Sequence, residues 1–164
     1  MEILKDEIQR VHKKEVARRQ LETAVFLFLK GIDYSSVVTL AGAAGNILLQ
    51  LVLNRGERPF VDLGRDVANY LQGELLPRKR YKYRMQILFG IIPLKHMSDK
   101  CDEIVEMDLE KCALSALTVA VCDYTTLSGQ NEPFVKAFLN WCWKNQNGPQ
   151  VMEEYQSLPK KLKK

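Results

Sequence analysis

His96 stands between Lys95 and, a few positions on, Asp99, in a segment that follows Pro93 and reads as a loop. An imidazole near a carboxylate can act as a general base, because its pKa lies where proton transfer is useful at neutral pH. A second polar set, Thr39, Asn46 and Gln50, falls with Ser35 on one stripe at helical spacing. If the His96 loop folds onto that stripe, His96 and Asp99 become candidate catalytic residues, with Thr39, Asn46, Gln50 and Lys95 as candidate ligand-binding residues. The plainer reading of His96, a side chain that hydrogen-bonds a helix end and fixes its loop, is the stronger one.

A different chemistry is offered by Arg78, Lys79, Arg80, Tyr81, Lys82, Tyr83 and Arg84, the densest basic-aromatic cluster in the chain. Such side chains contact phosphates, and the tyrosines offer stacking faces to bases. Pro77 starts a helix here, and cations at a helix N-terminus are electrostatically unfavourable, a hint that something else wants them. Against this, the cluster is short and no recognised nucleic-acid motif surrounds it, so a solvated turn whose tyrosines cover apolar surface is the stronger reading.

Other chemistries lack their residues. The cysteines Cys101, Cys112, Cys122 and Cys142 form no Cys-x-x-Cys pair, so no zinc framework is expected. A di-iron bundle needs Glu-x-x-His pairs, and there are none. No Gly-x-Ser-x-Gly elbow or phosphate-cradling glycine loop occurs, and Gly42 to Gly45 lies mid-helix, where the amides are already used. Neither a metal nor a cofactor is expected. Helical nucleases of the HEPN type carry an Arg followed closely by a His; here the nearest Arg upstream of His96 is Arg84.

These residues must be positioned by helices. Tyr34 to Asn54 holds no charged residue and is rich in Ala and Gly, with Asp33 and Ser35 as candidate N-caps. It is long enough to span a bilayer, but its polar stripe and its dilution by small residues favour a buried helix at the centre of a soluble bundle. Its polar stripe is then expected to be buried and to need partners. A first helix is predicted over residues 3 to 30 with Gly31 as its stop, and a third from Pro59 to about Leu75. A fourth starts after Pro77 and dives into the core through Met85, Ile87, Leu88, Phe89, Ile91 and Ile92. After a short extended-looking run from Ile104 to Met107, Asp108 caps a helix over Leu109 to Leu127, ended by Gly129. Pro133 opens a last long helix with Phe134, Phe138 and Trp141 inward. The expected fold is all-α, a compact bundle of five or six helices over residues 1–158, followed by a basic tail, residues 159–164.

The chain of 164 residues has the composition of one globular domain, and much of its net charge of +4 sits in the lysine tail. The first residues are acidic and lack an apolar run, so no export signal is expected and the thiols are placed in a reducing cytoplasm.

Two blocks resemble an uncharacterised family of small bacterial proteins. One comprises Asp33, Ser36, Thr39, Leu40, Ala41 and Ala44 to Leu48, matching an Asp-x-x-Ser-x-x-Thr-Leu-Ala pattern. The other is Lys95-His96-x-x-Asp99, followed by Tyr124, Leu127, Gly129 and Trp141. The family commonly has a His before the Thr, where this chain has Val38. The resemblance implies an all-helical bacterial protein and carries no activity. The leading expectation is a cytoplasmic helical binding or interaction protein, homodimeric through the small-residue helix or the aromatic last helix, with no membrane role. The alternative is a nucleic-acid-binding or nuclease-like protein using His96 and Asp99 or the basic cluster.

Overall fold

The computed structural model describes residues 9–73, 75–97 and 103–162. All regular structure among them is helical: α1 (Lys13–Lys30), α2 (Tyr34–Asn54), α3 (Phe60–Gln72), α4 (Arg78–Leu88), α5 (Ile91–Lys95), α6 (Leu109–Ser128), α7 (Pro133–Asn145), α8 (Gly148–Ser157) and a closing 3-10 turn, Lys160–Leu162. The fold is an all-α bundle. The described helices outnumber the five or six expected because Gly90, at φ 74°, breaks the fourth segment into α4 and α5 and because Gly148–Ser157 forms a further helix. A side chain at Gly90 would press on Met107 Sδ at 3.0 Å, so the tight bend also seats the 103–108 strap. That strap has no regular secondary structure.

Local chemistry sets most helix ends. Asp33 accepts from the amides and hydroxyls of both Ser35 and Ser36 at the start of α2. Asp108 accepts from the Lys111 amide at the start of α6. Each carboxylate satisfies donors that the first helical turn leaves free. Gly31 closes α1 in the left-handed conformation at φ 62°, which a residue without Cβ adopts at little cost.

The core is a layer of α1, α2 and α6, with α2 packed between the other two along most of its length. Leu21, Val25, Val37, Val38, Leu48, Leu117 and Val121 are almost wholly removed from water there. Phe28 of α1 joins the far end, meeting the rings of Trp141 at 4.8 Å, Tyr34 at 5.8 Å and Phe138 at 6.1 Å. Helices α3, α4 and α5 form a second layer over the opposite side of α2 and α6.

Helix α2 is long and apolar enough to cross a membrane by length and composition, and here its apolar side faces α1 and α6. Its polar stripe is not buried as expected: Thr39, Asn46 and Gln50 are exposed. Thr39 Oγ1 donates to the Ser35 carbonyl at 3.1 Å, and Gln50 Nε2 donates to Asn54 Oδ1 at 2.8 Å. The stripe therefore needs no partner from a distant segment, except at Asn46. The end of α4 turns inward only in part: Met85, Phe89, Ile91 and Ile92 are half-buried, with Phe89 and Ile91 packed on the core, while Ile87 and Leu88 are exposed.

Candidate ligand site

Asp123 is the side chain around which the second layer is hung. It lies on the buried stripe of α6 with Ala116, Ala120 and Leu127, and it is only 1% exposed. Its Oδ1 accepts the backbone N–H of Phe60 at 2.7 Å. Phe60 opens α3 behind the buried Pro59, whose side chain cannot cap. Asp123 thus caps a helix from outside it, and the positive end of α3 partly compensates the carboxylate. That compensation is incomplete: burial, with a further push from Asp62, raises the Asp123 pKa to about 6. Among the described residues no cation makes a salt bridge with it.

Helix α4 is tied to α3 by a second buried acid. Asp62 is 5% exposed and accepts from Arg78 Nε at 2.7 Å and Nη2 at 2.5 Å, a forked pair. Arg65 Nη2 lies 3.7 Å from the same carboxylate. The Arg78 guanidinium holds the Asp62 carboxyl below its ordinary value. This pair starts α4 and turns its inner face, Tyr81, Lys82, Met85 and Gln86, toward α2 and α6.

Between these elements lies a cavity of about 100 Å³, bounded by α2, α3, α4, the start of α5 and α6. Its wall is mostly apolar, with Leu49, Phe60, Val61, Met85, Phe89 and Val119 among its members. Gly42, Gly45 and Gly64 contribute the room. A Cβ on Gly42 would sit 2.9 Å from Ile91, and one on Gly64 would sit 2.9 Å from the Tyr81 hydroxyl. The small residues of α2 therefore serve the α5 crossing and this hollow together. Polar groups enter from three sides: Asp123 from the core, Tyr81 beside Gly64, and Lys82, Gln86 and Asn46 from the solvent side. Gln86 Nε2 donates to Asn46 Oδ1 at 3.0 Å. Burial lowers the pKa of Lys82 and raises that of Tyr81.

The sequence-derived candidates separate on this map. Asn46 reaches the cavity, whereas Thr39, Gln50, Lys95 and His96 do not line it. Lys95 and His96 are exposed at the end of α5, with the His96 amide bonded to the Ile92 carbonyl at 3.1 Å. Asp99 lies outside the described residues. The basic cluster divides in two. Arg78 is committed to Asp62, Tyr81 is buried and Lys82 is half-buried at the cavity, while Lys79, Arg80, Tyr83 and Arg84 face water. A uniformly exposed basic patch is thus not what α4 presents.

Asp123 is absent from the sequence-derived candidates, and a signal for it existed. A lone carboxylate on the apolar stripe of Ala116, Ala120 and Leu127 is a local contradiction of the helix pattern, the kind of position where function or a buried cap is found. The described thiols offer no competing nucleophile. Burial pushes Cys122 up to about 12 and also raises Cys112 and Cys142, so all three are protonated at neutral pH. No group of His, Cys, Asp and Glu among the described residues is arranged to hold a metal ion. Comparison of the chain with protein-family models, with curated proteins and with solved structures finds no match.

Proposed function

We propose that the protein is a small helical binding module whose ligand enters the cavity between the α2–α6 layer and α3–α5. The observation that carries this reading is Asp123: a buried carboxylate without a cationic partner, bordering an apolar hollow. As a helix cap alone, an Asn would accept the Phe60 amide equally well without the cost of burying charge. The ionised form is retained at a cost in stability, which is the usual mark of a group kept for binding. An apolar concavity with a few convergent polar groups is the ordinary form of a small-molecule site.

The test is a ligand-observed NMR screen of small fragments against the protein and its Ala116→Leu variant, whose added carbons fill the cavity. Fragments that bind the first and lose binding to the second, with both folded by circular dichroism, support the reading. A screen in which every hit binds both proteins equally overturns it.

A further inference from the structure

Resting on that binding reading, we infer that the cavity takes a short aliphatic amine, bound as its ammonium ion with the charged end against Asp123 and the hydrocarbon body among the apolar walls. The wall chemistry narrows the class in three steps. First, the inner end holds one carboxylate and no cation, so the fitting ligand brings a positive hydrogen-bond donor; a charge-assisted bond in a dry site is among the strongest polar contacts available. Second, the remaining inner surface comes from Ala41, Gly45, Val61, Ala116 and Val119, which offer an alkyl chain contact and a polar ligand nothing. Third, the volume of about 100 Å³ is smaller than the 150 Å³ or so that holds benzene, which limits the buried part to about four or five heavy atoms.

The other charged groups near this end are consistent with that assignment. From α3 and α4, the Asp62 carboxylate is paired with Arg78 and lies 3.7 Å from Arg65, and its hydrogen bonds to Arg78 lower its pKa, so it is ionised near neutral pH. Tyr81 remains protonated, its pKa raised by burial. Lys82, the one cation of the lining, enters from the solvent side and makes no salt bridge with Asp123. Between pH 5 and pH 7.5 the group that changes state at this end is Asp123, with its pKa near 6. Ammonium affinity therefore rises across that interval as the carboxylate ionises.

Isothermal titration with n-butylammonium, 1-butanol and butyrate, which share one hydrocarbon body, tests the inference on the full chain. At pH 7.5 butylammonium is expected to bind about tenfold or more tightly than butanol, with butyrate weakest. The preference is expected to vanish in Asp123→Asn, a variant that keeps the acceptor for the Phe60 amide, and to shrink in the wild type at pH 5. Butanol binding as tightly as butylammonium overturns the ammonium assignment and leaves cavity binding standing. Butyrate binding best, with loss on Lys82→Met, overturns it in favour of an anion site. Equal binding of all three to wild type and Ala116→Leu overturns both the assignment and the binding reading beneath it.

Discussion

The Asp123 carboxylate on α6 accepts the Phe60 amide of α3 at 2.7 Å, across a sequence separation of 63 residues. One contact joins the core layer to the covering layer, caps a helix and sets a charge at the wall of a cavity. These three consequences can be separated by substitution.

The cap and the charge come apart in Asp123→Asn and Asp123→Ala. Asn keeps an acceptor for the amide and removes the buried charge. A carboxyl raised from 3.8 to about 6 costs on the order of 3 kcal/mol when ionised, so Asp123→Asn is expected to be more stable than wild type at pH 7.5 by up to that amount. Asp123→Ala orphans the amide and is expected to be less stable than the Asn variant by about 1–3 kcal/mol. Urea denaturation of the three proteins measures both differences, and an Ala variant as stable as the Asn variant would contradict the cap.

The pH dependence follows from the same shift. Because the folded-state pKa of Asp123 is raised, its contribution to stability is fully present below pH 4 and is lost as pH rises through about 6. Glu15 and Asp33, both lowered to about 2 by hydrogen bonds, act in the opposite sense: their contributions are present above the ordinary carboxylate range and are lost as pH falls through about 2. Asp62, also lowered, acts in that direction. The contributions of Glu15, Asp33 and Asp62 cancel when wild type is compared with Asp123→Asn. The stability gap between the two proteins is expected to be small near pH 4 and to open to its full size by pH 7.5, as read from midpoints of urea unfolding.

Arg78 is expected to behave as a structural partner and not as an exposed phosphate contact. Arg78→Met leaves Asp62 buried without its forked partner. Breaking a fully buried pair costs about 3–5 kcal/mol; with the Arg78 side chain 42% exposed and Arg65 nearby, a loss of about 2 kcal/mol is expected. Adding Asp62→Asn is expected to restore part of it. Equal losses from both single changes, summing in the double variant, would show that the pair is not coupled.

Gly64 and Tyr81 are expected to be coupled through the cavity wall. A methyl group on Gly64 meets the Tyr81 hydroxyl at 2.9 Å, so Gly64→Ala alone gains little from its better helix propensity. In a Tyr81→Phe background the obstacle is gone, and the same change is expected to stabilise by about 1 kcal/mol. Thermal midpoints of the four proteins give the coupling; a zero value would place the hydroxyl elsewhere.

Phe28 is the aromatic hub of α1, α2 and α7. Phe28→Ala is expected to cost about 3–5 kcal/mol, because the ring is buried and its neighbours belong to separate helices that cannot all close on the gap. Loss of near-ultraviolet circular dichroism from Trp141, together with a lower denaturation midpoint, is the expected signature.

What the chain determined by itself is the set of features whose causes lie within a few residues. Asp33 and Asp108 cap the helices that follow them, Gly31 and Gly129 end the helices before them, and Tyr34–Asn54 is a helix with the predicted bounds. The helical spacing also marks Phe134 and Phe138 as inward-facing, and both are buried. Which side of α2 meets water was decided only by tertiary structure. The Thr39–Gln50 stripe is uncharged enough to be read as buried, but α1 and α6 take the other faces and leave it solvated. The split of the basic cluster was decided in the same way, since Arg78 is claimed by Asp62 from another helix, 16 residues away. Asp123 is the clearest case. Its neighbours in sequence mark it as a misfit on an apolar stripe, while the amide it caps and the cavity it borders belong to α2, α3 and α4. Helix ends are fixed by short-range hydrogen bonding; a site is fixed by which helix faces converge, and that is set by packing across the whole chain.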